Sequence, residues 1–461
     1  MVRRPLIRRP PEWGVDPVPA EARQLRAFDV FVFWSSLGVG LLVLAAGALL
    51  VLAFGLTLWE SLVVSLAGSL VGSLMLAGAA HHGSKAGVPT MVSLRPILGR
   101  RGSYAASALN VLQLLGWAAF ELLIMGIAAS VLLLGRLDFL TASAFVLVFG
   151  GVVATLALGG PLAVIRAWLE KFAIWLVYAS TIVIAVALAL RGVAWNARPT
   201  APSFSPQGSL LLGLDLVIVM PVSWWPLIAD YNRFARTAKA SAAGTTLGYV
   251  VANTAFYVLG AALAVYALAY APASGDFLFL AAIGLLGLGA FPLLFILVDE
   301  TDNAFANVYS TAVSVQNLAP KRRQFGLILA ATVVAIAGAW FLLAVGQGIG
   351  GGYESFLFVI GGVFVPLLGV VIADSFLVRR GAYRLEEFFD DAPRVRWTAI
   401  VSWIAGGAVY FGIIENWIPG FPSIGATLPS FLVAAGLHVA LARAESAASS
   451  AGHAAPGREH G

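Results

Sequence analysis

Uncharged stretches of about twenty residues, bounded by charge, Pro or Gly, recur along the whole chain, and that is the length a helix needs to cross the hydrocarbon core of a bilayer. Twelve fit: Phe28–Phe54, Trp59–Ala80, Tyr104–Leu134, Phe139–Gly159, Phe172–Leu190, Ser209–Ala229, Thr245–Tyr270, Phe291–Leu318, Phe325–Val345, Tyr353–Val378, Trp397–Glu415 and Ile424–Ala442. The first is too long, and too well followed by further spans, to be a cleaved signal peptide.

Composition agrees with this pattern. Of 461 residues, 60% are apolar and 11% charged, with a mean hydropathy of +0.90, whereas soluble domains are about half apolar and a quarter charged. A soluble enzyme is excluded, and the absence of cysteine removes disulfides, thiolate metal sites and cysteine nucleophiles. Alternate loops divide the 28 Lys and Arg unequally: only Arg136, Arg191 and Arg198 fall on one side. Basic residues collect on the cytoplasmic side of bacterial inner membranes, so both termini are expected in the cytoplasm of a multi-pass plasma membrane protein. The charge of +5 is thus a matter of sidedness and implies no nucleic acid partner. Residues 1–27 form a cytoplasmic segment, 28–442 the transmembrane domain and 443–461 a tail, predicted disordered from Glu445. Gly346–Gly352 is read as a flexible connection, and His81 and His82 as interfacial histidines.

Function is sought where the spans carry residues that are costly in lipid. Ser35 to Gly40 places paired serines beside two glycines; either the helix unwinds and offers carbonyl oxygens to a cation, or small residues let helices pack closely. The sixth span holds Pro221 and Pro226, each removing a backbone donor, so a broken helix is expected near Val222. Broken helices in corresponding positions of two halves point to a transporter's midplane site, and each of these breaks opens a block of five spans. In the third span, Trp117 and Glu121 share a helical face and pair a flat aromatic surface with a carboxylate. The eighth holds Asp299, Asp302, Asn303 and Asn307 on one face if the helix starts at Phe291 with Phe277–Ala290 lying across the outer surface; a span over Phe277–Val298 would instead leave the acids in water. The first reading is preferred, because Trp117 and Thr301 are separated by the same length of chain as the two breaks.

Three motifs in order, Gly87–Ser103 (GVPTMVSLRPILGRRGS), Ala229–Arg236 (ADYNRFAR) and Pro366–Arg380 (PLLGVVIADSFLVRR), resemble those of the nucleobase:cation symporter-1 family of purine, cytosine, allantoin and hydantoin permeases. Glu12–Pro19 and GWAAFE, ending at Glu121, are similar to its cytosine or hydroxymethylpyrimidine permease branch. The resemblance implies a leucine-transporter-like five-plus-five inverted repeat with two additional C-terminal helices. It implies that Trp117 stacks on the heterocycle, that Glu121, where relatives often have Gln, binds its polar edge, and that Asn307 is the substrate amide. The unwound segments would contribute Gly38, Val39, Pro221 and Ser223, with Trp224 one turn beyond the position where hydantoin-type relatives have a second tryptophan. A sodium site would use carbonyls of Ser35, Gly38 and Val298 and the hydroxyl of Thr301, with Asp302 where relatives have a second hydroxyl.

The expectation is an all-α membrane protein of twelve transmembrane helices, a secondary active symporter and not an enzyme, importing a small planar heterocycle with Na⁺ or H⁺ as coupling ion, without covalent cofactor or obligate protein partner. An amino acid or amine symporter on the same fold is the alternative, since fold does not fix substrate.

Overall fold

The first predicted span is two helices. In the computed structural model, which describes residues 12–197, 205–270, 278–288, 291–346, 351–417 and 422–454, α1 (Ala27–Leu37) and α2 (Leu41–Leu52) meet at 62° across Gly38–Gly40. The unwound reading of Ser35 to Gly40 therefore holds. There follow α3 (Leu58–Ala79), α4 (Arg100–Leu134), α5 (Phe139–Gly159), α6 (Pro161–Arg191), α7 (Pro206–Ser223), α8 (Ile228–Asn232) and α9 (Ala238–Tyr270). The remainder are α10 (Leu278–Leu285), α11 (Phe291–Leu318), α12 (Gln324–Ala344), α13 (Gly351–Ala373), α14 (Trp397–Ile414) and α15 (Thr427–Ala454). Ten helices among the described residues are long and apolar enough to cross a membrane, and the bent pair α1–α2 makes eleven.

Packing sorts the helices. α1, α2, α3, α7 and α9 lie closely against one another, α4, α5, α11 and α12 form a second group, and α14 and α15 pack on α13. Small residues permit the closest approaches: a Cβ on Gly72 of α3 would lie 2.4 Å from Pro221 Cγ and 2.6 Å from the Ile218 carbonyl of α7.

The sixth span does break near Val222 as expected: α7 continues through Pro221 to Ser223, and a 3₁₀ turn over Trp225–Leu227 leads into α8. Pro226, whose ring disfavours a helical residue before it, marks the break. Other boundaries differ from expectation. α6 begins at Pro161 with a π-type stretch over Val164–Ala173, taking in Arg166, Glu170 and Lys171 ahead of the span expected from Phe172. The tail is not disordered from Glu445, because α15 runs to Ala454, in keeping with the high helix propensity of its alanines. Of the outer segment Phe277–Ala290, Leu278–Leu285 is helical and its ends lie outside the described residues, as do residues 1–11, Arg198, most of the glycine-rich run (347–350) and the end of the tail (455–461).

The N-terminal segment is built into the arginine-bearing end of the bundle. Glu12 accepts from Gln316 Nε2 at 2.9 Å, the Gly14 carbonyl accepts from Arg233 at 2.8 Å, and fully buried Val18 donates its N–H to the Gly87 carbonyl at 2.9 Å.

Candidate functional site

α11 brings its polar face inside the protein, since Glu300, Thr301, Asp302, Asn303 and Asn307 are all buried. The alternative span ending at Val298 is thereby overturned. The Asp299 side chain lies outside the described residues. Glu300, which the sequence reading passed over, is central: its Oε2 accepts from the Leu41 N–H, the first amide of α2, at 2.8 Å. Asn303 Nδ2 donates to the Val39 carbonyl at 3.0 Å. The unwound segment is thus held from both sides by α11, and the Glu300 carboxyl closes against Gly40, where a Cβ would lie 2.7 Å from its Oε2. The spacing of Glu300, Asn303, Asn307, Ser310 and Ser314 is the signal that identifies this face.

Asn307 meets Glu121 of α4. Its Nδ2 lies 2.9 and 3.0 Å from the two carboxylate oxygens and 3.2 Å from the Asn303 carbonyl. Trp117, one turn before Glu121, is edge-on to Phe356 of α13 with ring centroids 5.4 Å apart. It lines an apolar cavity with Met220, Val222, Ser223, Ile360 and Phe364. Of the residues expected to bind substrate, Trp117 and Ser223 line this cavity. Val39, Glu121 and Asn307 belong to the adjoining polar cluster around α11, while Gly38 packs against α9. Pro221 instead packs its ring on Gly72, and Trp224 is buried in the break beyond; neither lines the cavity. The Ser223 hydroxyl donates to the Met220 carbonyl at 2.7 Å.

The residues expected around a cation are partly engaged with one another. Thr301 Oγ1 donates to the Val298 carbonyl at 2.7 Å, and the Ser35 hydroxyl pairs with Tyr178 of α6. Asp302 Oδ2 accepts from Ser36, the second of the paired serines, while Oδ1 is buried without a hydrogen-bond partner. Val298 is 40% exposed, so its side chain faces outward while its carbonyl turns to Thr301. Gly38 lies at the end of α1, against Ala252 of α9.

Three carboxylates, those of Glu121, Glu300 and Asp302, are therefore buried close enough to act on one another electrostatically. The buried arginines are committed elsewhere, Arg95 to Asn317 and the Phe388 carbonyl and Arg233 to Gly14 and Tyr309. Burying uncompensated charge costs several kcal/mol per ion, so this centre calls for compensation by a cation or by protons.

The family described as permeases for cytosine/purines, uracil, thiamine and allantoin matches residues 17–434. The chain belongs to this family. Among curated relatives, the cytosine permease of Escherichia coli strain K12 is 25% identical over 391 residues, covering 82% of this chain and 83% of its own. The allantoin permease of Bacillus subtilis strain 168 is 23% identical over 416 residues, covering 80% and 79%. The fold is that of Mhp1, a nucleobase-cation-symport-1 family transporter solved in a closed conformation with bromovinylhydantoin bound, at a TM-score of 0.74 and 18% identity over 95% of this chain and 96% of that one. A Na⁺-coupled sialic acid symporter has a TM-score of 0.61 at 11% identity, covering 92% and 91%. The protein is a multi-pass membrane transporter of the nucleobase permease type and not an enzyme.

Within this permease, the motifs that carried the resemblance meet at the arginine-bearing end. Thr90 donates its N–H to Asp230 at 2.9 Å and accepts from the Ala229 N–H at 2.8 Å. Asn232 accepts from the Trp34 indole at 2.7 Å, and Asp374 lies 2.9 Å from His438 and accepts from Tyr383 at 2.6 Å. His82 is buried rather than interfacial, between the Ser93 carbonyl at 3.2 Å and the Ser375 hydroxyl at 3.1 Å. Burial pushes its imidazole down to about 4, against a smaller upward pull from Asp374.

Proposed function

We propose that this chain is a secondary active symporter that imports a nucleobase or related planar heterocycle of cytosine, hydroxymethylpyrimidine or purine type, driven by Na⁺ or H⁺ through alternating access. The observation that carries the reading is the Glu121–Asn307 pair one helical turn from Trp117, at the level of the unwound segment between α1 and α2. A flat ring lying on Trp117 gains stacking energy of about 1–3 kcal/mol. Its amino and ring N–H groups then reach the Glu121 carboxyl oxygens, and Asn307 offers its carbonyl oxygen to a further donor. Backbone of Gly38, Val39 and Met220 to Ser223 closes the site, with Ser223 at the cavity wall.

The packing supports a five-plus-five repeat within twelve spans, because the first and second spans pack on the sixth and seventh, and the third and fourth on the eighth and ninth; the last two helices are additional. Rocking of the first set against the second alternates access. In this reading both termini are cytoplasmic in the plasma membrane. The coupling ion is placed at Asp302, with Thr301 and the carbonyls of Ser35, Gly38 and Val298 as oxygen ligands for Na⁺, or with Asp302 itself taking up a proton. Counterflow tests the function: vesicles reconstituted with the protein and loaded with unlabelled cytosine should take up labelled cytosine unmodified. Failure to exchange any nucleobase would overturn the reading.

A further inference from the structure

The amino end of a half-helix that opens at an unwound segment attracts negative charge, because its first amides lack partners within the helix and its dipole points positive end outward. Transporters of anionic substrates place the substrate carboxylate there. In this chain that place is filled by the protein itself. Glu300 Oε2 accepts the Leu41 N–H at 2.8 Å and stands against Gly40, and Asn303 ties the adjacent Val39 carbonyl to the same helix. Glu300 is 1% exposed. The carboxyl groups of Glu121 and Asp302 are buried in the same cluster, and the buried Arg95 and Arg233 are bound elsewhere.

We infer that Glu300 is a specificity-determining residue: by capping α2 with its own carboxylate it occupies the anion-binding end of the half-helix, so the protein accepts neutral or cationic amino-bearing heterocycles and rejects those carrying a carboxylate. The inference rests on the proposed transport of heterocycles and adds the charge class of the substrate. It also separates this chain from the amino acid alternative, because an amino acid carboxylate finds the Leu41 amide already taken and meets three carboxyl groups instead. Glu121 and Asp302 repel an anion too, but only Glu300 blocks the amide.

The test compares three ligands on the purified full-length protein in detergent: a pyrimidine base, its ring carboxamide and its ring carboxylate, the last two being nearly equal in shape and different in charge. Binding is read by titration calorimetry at neutral pH. For the wild-type protein the carboxamide is expected within tenfold of the base and the carboxylate at least a hundredfold weaker than the carboxamide. Glu300→Gln keeps an oxygen to cap Leu41 and removes the charge, and should narrow the gap between carboxylate and carboxamide at least tenfold. Equal binding of carboxylate and carboxamide by the wild type overturns the role of Glu300 without any variant. An unchanged gap in a Glu300→Gln protein that still binds the base also overturns it. If no neutral heterocycle binds the wild type at all, the transport reading fails, and the inference with it.

Discussion

Both carboxylate oxygens of Glu121 lie within hydrogen-bond distance of the Asn307 amide nitrogen, at 2.9 and 3.0 Å. This joins α4 to α11 at the point where an aromatic surface, a carboxylate and an unwound backbone segment converge. Glu121→Gln keeps the shape and loses the charge, and removing a charged acceptor costs about 1.5–3 kcal/mol. Cytosine affinity should fall by that amount while uracil, which offers no amino group, changes less. Competition binding of the two bases checks it, and equal transport of uracil and cytosine by the parent protein contradicts the assigned role.

Trp117 has an edge contact with Phe356 and one side on the cavity. Trp117→Ala should weaken heterocycle binding by about 1–3 kcal/mol with normal expression. Unchanged affinity in the purified variant removes Trp117 from the site.

Gly72 sits where a Cβ would lie 2.4 Å from Pro221 Cγ, a ring that cannot swing aside. Gly72→Ala should destabilise the protein by about 1–3 kcal/mol, the cost of overpacking, and displace the end of α7. Thermal unfolding in detergent measures it. A variant as stable as the parent shows that α3 and α7 are not locked at this contact.

How much of this was legible in the sequence depended on what each residue's energy reports. Charge and apolar runs located α5 and α11 to the residue, and Gly38 to Gly40 marked a true break, because glycines beside polar residues in an apolar span are costly unless the helix opens. The two prolines located the second break near Val222: Pro221 is tolerated inside the helix because its ring packs on Gly72, and Pro226 fixes where the helix stops. Glu300 was missed because neighbouring acids in one run are ranked by the helical phase of the whole face, and phase depends on which partner helix lies opposite. The pairing of Asp302 with Ser36 and of Ser35 with Tyr178 rests on tertiary contacts that no local pattern encodes.

His82 gives a pH dependence with a definite sign. Its imidazole is held at about 4 by burial, below the usual 6.5, so the folded state binds this proton less readily than the unfolded state. Its contribution is complete above pH 6.5 and is lost as pH falls toward 4, by about 3 kcal/mol in all. His82→Gln should flatten the decline of melting temperature between pH 7 and pH 5. An equal slope in parent and variant excludes His82 as its source.

A cation gradient that drives a heterocycle inward shows itself in the accumulation of labelled cytosine by reconstituted vesicles. With an inward Na⁺ gradient at fixed pH, labelled base should rise above its external concentration, collapse when choline replaces Na⁺, and require more Na⁺ for half-maximal uptake in Thr301→Ala. If accumulation instead persists in choline, grows as external pH falls and is abolished by a protonophore, coupling runs through a proton on Asp302 and the claim of cation-driven import still stands. Uptake that only equilibrates, and to the same level with or without either gradient, contradicts it.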